Sequence, residues 1–298
     1  MNFFANGKLL LTGEYAVLKG ACALALPTKF GQHLTVEENN GNFINWKSLD
    51  HENKVWFEND FDINTFEHDN PNEISLKLKE IFNEISIQNT KIFNKSSGKK
   101  FITRLDFNKN FGLGSSSTLI SIMCQWSGVD PYVIQKKVFG GSGYDIACST
   151  ASKPIIYNLK KNGSQNVREI NLSRLISKNL YFVYLNNKQN TRDSIKALNL
   201  SSIDDILINK VNDITFQIAN TNSLEEFKTM ISAHEDIIGR LIAKKPVKEI
   251  LFNDYNGAIK SLGAWGGDFI VACGDENTPD YFLKKGYKTC YKYENLIL

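Results

Sequence analysis

The chain has 298 residues, of which 42% are hydrophobic and 22% are charged, and these values are typical of a soluble globular protein with two domains of ~100–200 residues each. Its net charge of +3, without a basic stripe interleaved with aromatic residues, argues against nucleic-acid binding. No apolar run approaches the ~20 residues of a membrane span, and the first residues lack the pattern of a signal peptide. The five scattered cysteines lack the spacing of a disulfide framework or a zinc site. We therefore expect a cytoplasmic protein with no nucleic-acid or membrane partner.

In the first half of the chain, short apolar or alternating runs predict strands at 8–11, 21–27, 32–37 and 100–107. The polar and aromatic stretch 38–73 predicts a hairpin and loops near a sheet edge. Apolar residues at helical spacing predict helices over 74–85, 115–126 and 131–138.

In the second half, strands are predicted at 155–159 and 269–273, a buried strand at 180–185, and an edge strand at 290–298. Helices are predicted from residue 191 onward, over 203–219, from a capping box at Ser223 to about residue 241, and over 247–258. Strands and helices mix without regular βαβ repeats, so the order of elements indicates an α+β fold rather than a doubly wound sheet.

The stretch from Asn108 to Leu119, Asn-Lys-Asn-Phe-Gly-Leu-Gly-Ser-Ser-Ser-Thr-Leu, carries the strongest functional signal. A glycine-rich turn that opens a helix presents unpaired N–H groups and the positive end of the helix dipole, which favour phosphate. The alternative is an ordinary Gly/Ser loop with a serine N-cap. The stretch lacks the Gly-Lys-Ser/Thr ending of a Walker P-loop and the third glycine of a dinucleotide fingerprint.

A kinase that uses this loop needs a lysine and a carboxylate from elsewhere in the chain. Lys8 opens a predicted strand and is followed by a carboxylate at Glu14, although a surface lysine at a strand start is the alternative. Asp145 begins a predicted helix of small residues, where it could instead be a simple N-cap.

Four motifs in chain order resemble the GHMP small-molecule kinases, a family that includes galactokinase, homoserine kinase, mevalonate kinase and phosphomevalonate kinase. They are Gly-Lys-Leu-Leu-Leu-Thr-Gly-Glu-Tyr-Ala-Val-Leu at 7–18, Gly-Leu-Gly-Ser-Ser-Ser at 112–117, Ser-Gly-Tyr-Asp at 142–145 and Gly-Ala-Trp-Gly-Gly-Asp at 263–268. The resemblance implies an α+β, GHMP kinase-like two-domain fold, with an N-terminal ribosomal-protein-S5-like half and a C-terminal ferredoxin-like half. We expect an ATP-binding domain over 1–165 and a C-terminal GHMP-type domain over 166–298.

The resemblance also implies roles for individual residues, with ATP and Mg²⁺ as cofactors. Asp145 would accept or orient the proton of the substrate hydroxyl, and Lys8 would pair with Asp145 or the γ-phosphate and stabilise charge. The ATP phosphates would be held by Gly112, Leu113, Gly114, Ser115, Ser116 and Ser117, and the Ser116 hydroxyl would also hold Mg²⁺. Substrate contacts would come from Glu14, Ser142, Gly143, Lys188, Thr191, Ala264, Gly266 and Gly267.

Six residues depart from the family pattern, namely Asn6, Asn108, Asn110, Phe111, Gln135 and Trp265. Phe111 stands where a small residue is usual and could narrow the nucleotide pocket. Trp265 replaces a glycine and would put a large ring where backbone normally approaches ligand. Gln135 stands where mevalonate kinases carry a metal-binding glutamate, so Mg²⁺ would be held more weakly or by ATP and serine alone.

The leading hypothesis is an ATP- and Mg²⁺-dependent kinase that phosphorylates a small acidic metabolite in the mevalonate pathway of isoprenoid biosynthesis. Phosphomevalonate is the first candidate, because the surroundings of Asp145 are most similar to phosphomevalonate kinase, and mevalonate is the second. A diphosphomevalonate decarboxylase-like enzyme and a degenerate non-enzyme that binds nucleotide or metabolite are the alternatives. The partner would be a small-molecule substrate, and the chain would be a monomer or homodimer.

Overall fold

The computed structural model describes residues 1–93, 97–187, 200–263, 265 and 268–298. Its strands are β1 (Asn2–Thr12), β2 (Ala23–Asn39), β3 (Phe43–Leu49), β4 (Val55–Asp62), β5 (Gly98–Leu105), β6 (Ile155–Leu159), β7 (Gln165–Glu169), β8 (Leu180–Tyr184), β9 (Ala258–Ser261), β10 (Phe269–Cys273) and β11 (Cys290–Lys292). Its helices are α1 (Glu73–Gln88), α2 (Ser115–Ser127), α3 (Pro131–Val138), α4 (Tyr144–Ser149), α5 (Arg174–Ser177), α6 (Asp205–Asn220), α7 (Leu224–Leu241), α8 (Val247–Leu251), α9 (Thr278–Lys284) and α10 (Tyr293–Leu296). This mixture confirms the α+β class.

The chain forms two compact units whose segments are interleaved along the sequence. The first contains Met1–Gly7, Phe30–Lys109 and Leu113–Thr150, and the second contains Lys8–Lys29, Asn110–Gly112 and Ala151–Leu298. This division does not coincide with the single boundary expected after residue 165, because β1 and β2 each have residues in both units. The assignment of 1–165 and 166–298 as domains stays a prediction.

In the first unit, the end of β2 pairs antiparallel with β5, and β5 pairs parallel with β3. β3 and β4 form an antiparallel hairpin with β4 at the sheet edge, as the sequence predicted for 38–73. The rings of Trp46, Phe82 and Phe101 lie in one aromatic core with apolar residues of α1, α2 and α3. Burial of such rings supplies most of the stabilisation of a core of this kind.

The second unit contains a four-stranded antiparallel sheet in the order β11-β8-β10-β9. It also contains the β6–β7 hairpin, which pairs with the start of β2. α6 and α7 pack on each other, and α7 packs on β9. The register of this sheet sets Phe269 of β10 opposite Tyr184 of β8, and this pair bears on the site described below.

The structure differs from the predicted elements in three regions of the chain. The two strands predicted at 21–27 and 32–37 are one strand, β2. The helix predicted over 247–258 ends at Leu251, and Ala258 already begins β9. A Cβ at Gly257 would overlap the carbonyl oxygen of Cys273, so the absence of a side chain there lets the chain pass close to β10 just before β9 begins. The strand predicted over 290–298 ends at Lys292, where α10 follows.

Within the described ranges, no helix is long and apolar enough to cross a membrane.

Candidate active site

The glycine loop leads directly into α2, as the sequence predicted. Gly114 is the N-cap of α2 in a left-handed conformation, with φ 87°, and Gly112 has φ +68°. Both conformations favour glycine. No side chain caps α2, and its first turn carries no acidic residue. The first N–H groups of an α-helix have no intrahelical acceptor, so the start of α2 has the charge and the donors that suit a phosphate.

The residues expected to hold the ATP phosphates differ in how they are placed. Leu113 is fully buried, so only its backbone could face a ligand. The Ser117 hydroxyl is buried and donates to the Gly114 carbonyl oxygen at 2.8 Å, so it stabilises the helix start. Ser115 and Ser116 are half-buried at the first two helical positions. Phosphate and Mg²⁺ binding by these residues stays a prediction.

Asp145 lies in the first turn of α4 and is half-buried. The N-cap of α4 is Gly143, with φ 86°, so the alternative reading of Asp145 as an N-cap is wrong. The Asp145 Oδ1 accepts a hydrogen bond from the Ile146 N–H at 3.1 Å. Burial, together with the charges of Asp130 and Asp145, raises the pKa of Tyr132 to about 12. The carboxylate is therefore held by its own helix in the first unit, and its role as a base stays a prediction.

The turn before Asp145 is held in part by Gln135. The Gln135 side-chain amide donates to the Gly140 carbonyl oxygen at 3.1 Å, and the backbone N–H of Gly140 donates to the Gln135 carbonyl oxygen at 2.8 Å. The other side-chain atom, Oε1, is buried and has no hydrogen-bond partner among the described residues. Ser142 and Gly143, expected substrate contacts, follow this turn and are buried. Gln135 thus supports the path that leads to Asp145.

Lys8, the other expected catalytic residue, lies on β1 and in the second unit. Its ammonium group donates to the Gly112 carbonyl oxygen at 3.1 Å. The carboxylate of Asp268 approaches the same glycine, since a Cβ at Gly112 would lie 2.5 Å from the Asp268 carboxylate carbon. Asp268 is only 6% exposed. The structure therefore brings Lys8 and Asp268 to Gly112, whereas the pairing of Lys8 with Asp145 stays a prediction.

Glu14 lies in a buried charged cluster that the sequence did not reveal. Its side chain is 1% exposed, and its Oε1 accepts a hydrogen bond from the ammonium group of Lys260, which is fully buried. Burial raises the pKa of Glu14 to about 7, although Lys260 acts in the opposite direction. Direct substrate binding by Glu14 stays a prediction, but its burial and its pairing with Lys260 favour a structural role.

His234 and Glu235 complete this cluster from α7. The Gly13 N–H donates to His234 Nε2 at 3.0 Å, so this nitrogen is an acceptor and the proton of the neutral ring lies on Nδ1. The 3.7 Å approach of His234 Nε2 to Glu14 Oε2 is therefore not an ion pair. Glu235 accepts hydrogen bonds from the Ser261 N–H and hydroxyl, both at 2.9 Å. Together these bonds tie the turn after β1 to α7 and β9.

Stability should depend on pH through His234. Burial and the charge of Lys260 hold the pKa of His234 well below its usual 6.5, so below that pH the unfolded chain binds a proton that the folded chain does not. In a comparison with His234→Gln, the wild type should lose relative stability as pH falls below about 6.5, by up to ~1.4 kcal/mol per pH unit. Urea unfolding of both proteins between pH 5 and 7 measures this, and a constant difference across that range would contradict it.

The Trp265 ring lies buried in the protein, whereas the sequence predicted it where the backbone approaches a ligand. Its ring is 2% exposed and packs in an apolar cluster with Tyr15, Val211 and Ile238. The edge of the ring lies against Gly239 of α7, where an added Cβ would be 3.1 Å from the Trp265 Cη2. The expectation of a large ring at the ligand-facing backbone is therefore wrong, because the ring fills a space that a glycine in α7 leaves open.

Several expected site residues lie outside the described residues: Lys188, Thr191, Ala264, Gly266 and Gly267. The same holds for the helix predicted from residue 191.

Of the cationic side chains that could recognise an acid, Arg104 is paired with Asp106 at 2.8 Å and Lys137 with Glu84 at 2.6 Å. These partners make Arg104 and Lys137 weaker candidates for binding an anion.

The part of the chain that the structure describes has no group of three or more His, Cys, Asp or Glu residues placed to hold a metal ion. Mg²⁺ in proteins keeps several waters and is bound mainly through substrate phosphates and one or two protein oxygens. Binding of Mg²⁺ by Ser116 at the start of α2 stays a prediction.

The fold of the described chain is similar to that of solved mevalonate and phosphomevalonate kinases. The mevalonate kinase of Methanococcus jannaschii has a TM-score of 0.72 with 20% identity, over 98% of this chain and 96% of that one. The phosphomevalonate kinase of Streptococcus pneumoniae, in complex with phosphomevalonate and AMPPNP, has a TM-score of 0.73 with 15% identity, over 100% of this chain and 98% of that one. A D-glycero-D-manno-heptose 1-phosphate kinase from Bacteroides thetaiotaomicron has a TM-score of 0.66 with 16% identity, over 99% and 95%.

By sequence alone, no family model and no curated protein matches the chain. The likeness to the solved structures therefore lies in the fold, and it confirms the fold that the four sequence motifs predicted.

Proposed function

We propose that this protein is an ATP- and Mg²⁺-dependent kinase that phosphorylates a small metabolite, with phosphomevalonate as the first candidate and mevalonate as the second. The observation that carries the proposal is the glycine loop at the start of α2, with Gly112 contacted by Lys8 and Gly114 as an uncapped left-handed N-cap. A fold shared with mevalonate, phosphomevalonate and sugar phosphate kinases supports the reaction class.

Each residue contributes a distinct physical effect in this proposal. The N–H groups at the start of α2 bind the phosphates, and the helix dipole favours their negative charge. Lys8, held beside the loop through the Gly112 carbonyl, stabilises the charge that develops on the transferred phosphoryl group. Asp145 accepts or orients the proton of the acceptor hydroxyl. Ser116 would hold the Mg²⁺ that comes with the nucleotide, and such an ion would supply neutralisation of the phosphate charge.

The non-enzyme alternative loses part of its support. It depended on Phe111, Gln135 and Trp265 as obstacles to nucleotide or metal. Trp265 is buried in the apolar cluster and Gln135 holds the turn before Asp145, so each has a structural reason to be present that does not require loss of catalysis.

The test is a coupled assay of ADP release over a panel of acceptors: mevalonate, phosphomevalonate, homoserine, several sugars and a sugar 1-phosphate. We expect one acceptor to give a turnover on the order of 1–100 s⁻¹. Release of CO₂ from diphosphomevalonate would instead identify a decarboxylase. Binding of AMPPNP without turnover on any acceptor would favour the non-enzyme alternative.

A further inference from the structure

The segment Asn110–Gly112, just before α2, makes a set of contacts that none of the roles above requires. Each of its three residues contacts a side chain of the second unit, and the segment itself groups with that unit. We propose that Lys8, Tyr184, Asp268 and Phe269 form a loop anchor that holds this segment in the conformation that binds phosphate before any nucleotide arrives. Tyr184 and Phe269 act in it as positioning residues, and Phe111 is the side chain they hold.

The first contact is a hydrogen bond to the backbone of the loop. The Tyr184 hydroxyl donates to the Asn110 carbonyl oxygen at 3.1 Å. Tyr184 is at the end of β8 and is buried. Burial and the charge of Asp268 raise the pKa of Tyr184 above its usual value, so the hydroxyl keeps the proton that it donates. Because Tyr184 belongs to a sheet, its hydrogen bond fixes the position of Asn110, the first residue of the segment.

The second contact is a cluster of three aromatic rings. Phe111 lies with its ring centroid 4.7 Å from that of Tyr184 and 5.5 Å from that of Phe269, edge-on to the latter. Tyr184 and Phe269 are directly opposite on β8 and β10, with their own centroids 5.4 Å apart. These separations lie in the range in which aromatic pairs attract each other beyond their burial. Phe111 thus packs on the second sheet, which is a different role from the narrowing of a nucleotide pocket.

The third contact fixes Gly112 from two sides. The Lys8 ammonium donates to its carbonyl oxygen, and the Asp268 carboxylate packs against its Cα, where no side chain would fit. The backbone of Asp268 is itself fixed, because its carbonyl oxygen accepts the Leu185 N–H at 2.9 Å. With all three residues held, only Leu113 separates the anchored segment from the N-cap of α2.

A loop that is ordered in advance binds its ligand more tightly, because less conformational entropy is lost on binding. The anchor should therefore set nucleotide affinity. This consequence depends on the proposed function, whereas the order of the loop in the unliganded protein does not.

The experiment compares wild type with Phe111→Ala, which removes the ring, and Phe111→Leu, which keeps an apolar side chain. Tyr184→Phe removes only the hydroxyl, and Tyr281→Phe, whose hydroxyl bonds Asp254 at 2.6 Å in the same unit, is the matched control. Amide hydrogen exchange over residues 108–116 is measured without nucleotide, and the Kd for AMPPNP with Mg²⁺ is measured by calorimetry.

We expect Phe111→Ala to raise both the exchange rate of this segment and the Kd by about 10-fold or more. Phe111→Leu and Tyr184→Phe should produce smaller rises, and Tyr281→Phe none, with the exchange of β8 and β10 unchanged in all. Wild-type exchange over 108–116 in Phe111→Ala would overturn the anchor. Faster exchange with an unchanged Kd would overturn its role in nucleotide binding. If wild type binds no AMPPNP at millimolar concentration, the proposed function fails, and the exchange data still decide whether the anchor exists.

Discussion

Replacing Lys260 by methionine should lower the free energy of unfolding by about 3–5 kcal/mol at pH 8, as expected when a buried ion pair loses one partner. Lys260 is fully buried, and its ammonium group donates to Glu14 Oε1 and, at 2.7 Å, to the Ser261 carbonyl oxygen. Methionine fills a similar volume but leaves the Glu14 carboxylate in an apolar surrounding without a counter-charge. Urea unfolding measures the loss.

The control for this experiment is Lys285→Met. Lys285 pairs with Asp254 at 2.8 Å, but both side chains are substantially exposed, so the loss should be within ~1 kcal/mol. A double variant, Glu14→Gln with Lys260→Met, removes both charges and should recover much of the stability that the single variant loses. The explanation is wrong if Lys260→Met is no more destabilising than Lys285→Met, or if the added Glu14→Gln makes the loss larger.

The loss should also depend on pH. Burial already raises the pKa of Glu14 to about 7 with Lys260 present, and removal of Lys260 should raise it further. A lone Glu14 that takes up a proton no longer buries a charge, so Lys260→Met should be less destabilising at pH 5 than at pH 8.

Asp145→Asn should lower kcat for ADP release at least ~100-fold, the lower end of the usual contribution of a general base. The asparagine side-chain oxygen can still accept the Ile146 N–H that Asp145 accepts at 3.1 Å, so α4 should keep its geometry. An amide cannot accept the proton of the acceptor hydroxyl. The KM for ATP should change little, because the phosphates bind at the start of α2 in the proposed function.

Asp130→Asn is the matched control for Asp145→Asn. Asp130 is the N-cap of α3, where its side chain accepts the Tyr132 N–H at 2.8 Å, and asparagine caps helices as well as aspartate does. Its kcat should equal that of wild type. A kcat of Asp145→Asn within about threefold of the control would rule out Asp145 as the base.

Local signals in the sequence were sufficient for most elements near the site. The helix over 131–138, the strand over 155–159 and the strand over 269–273 have the predicted bounds. Prediction was weaker where contacts between residues distant in the chain determine where an element ends. The stretch 247–258 has apolar residues at helical spacing, but pairing of Ala258–Ser261 with β10 ends that helix early.

Long-range contacts explain what the sequence left open at the site. Lys260 and Glu14 are far apart in the chain, and the one local sign of their pairing was a lysine within an apolar run, Ala258-Ile259-Lys260. Trp265 looked like an obstacle to ligand because a one-dimensional pattern does not show where a side chain points. Its ring packs against Gly239, and the ring of Phe111 packs against Tyr184, and both partners are distant in sequence.

The sequence by itself determined the α+β class, the glycine loop that opens α2, and the resemblance to the GHMP kinases, because turn conformation and helix starts depend on residues close together in the chain. Only the tertiary structure decided which side chains surround that loop and which charges are buried. Those depend on the register of β8 against β10 and on the packing of α7 on β9, and no local pattern encodes either.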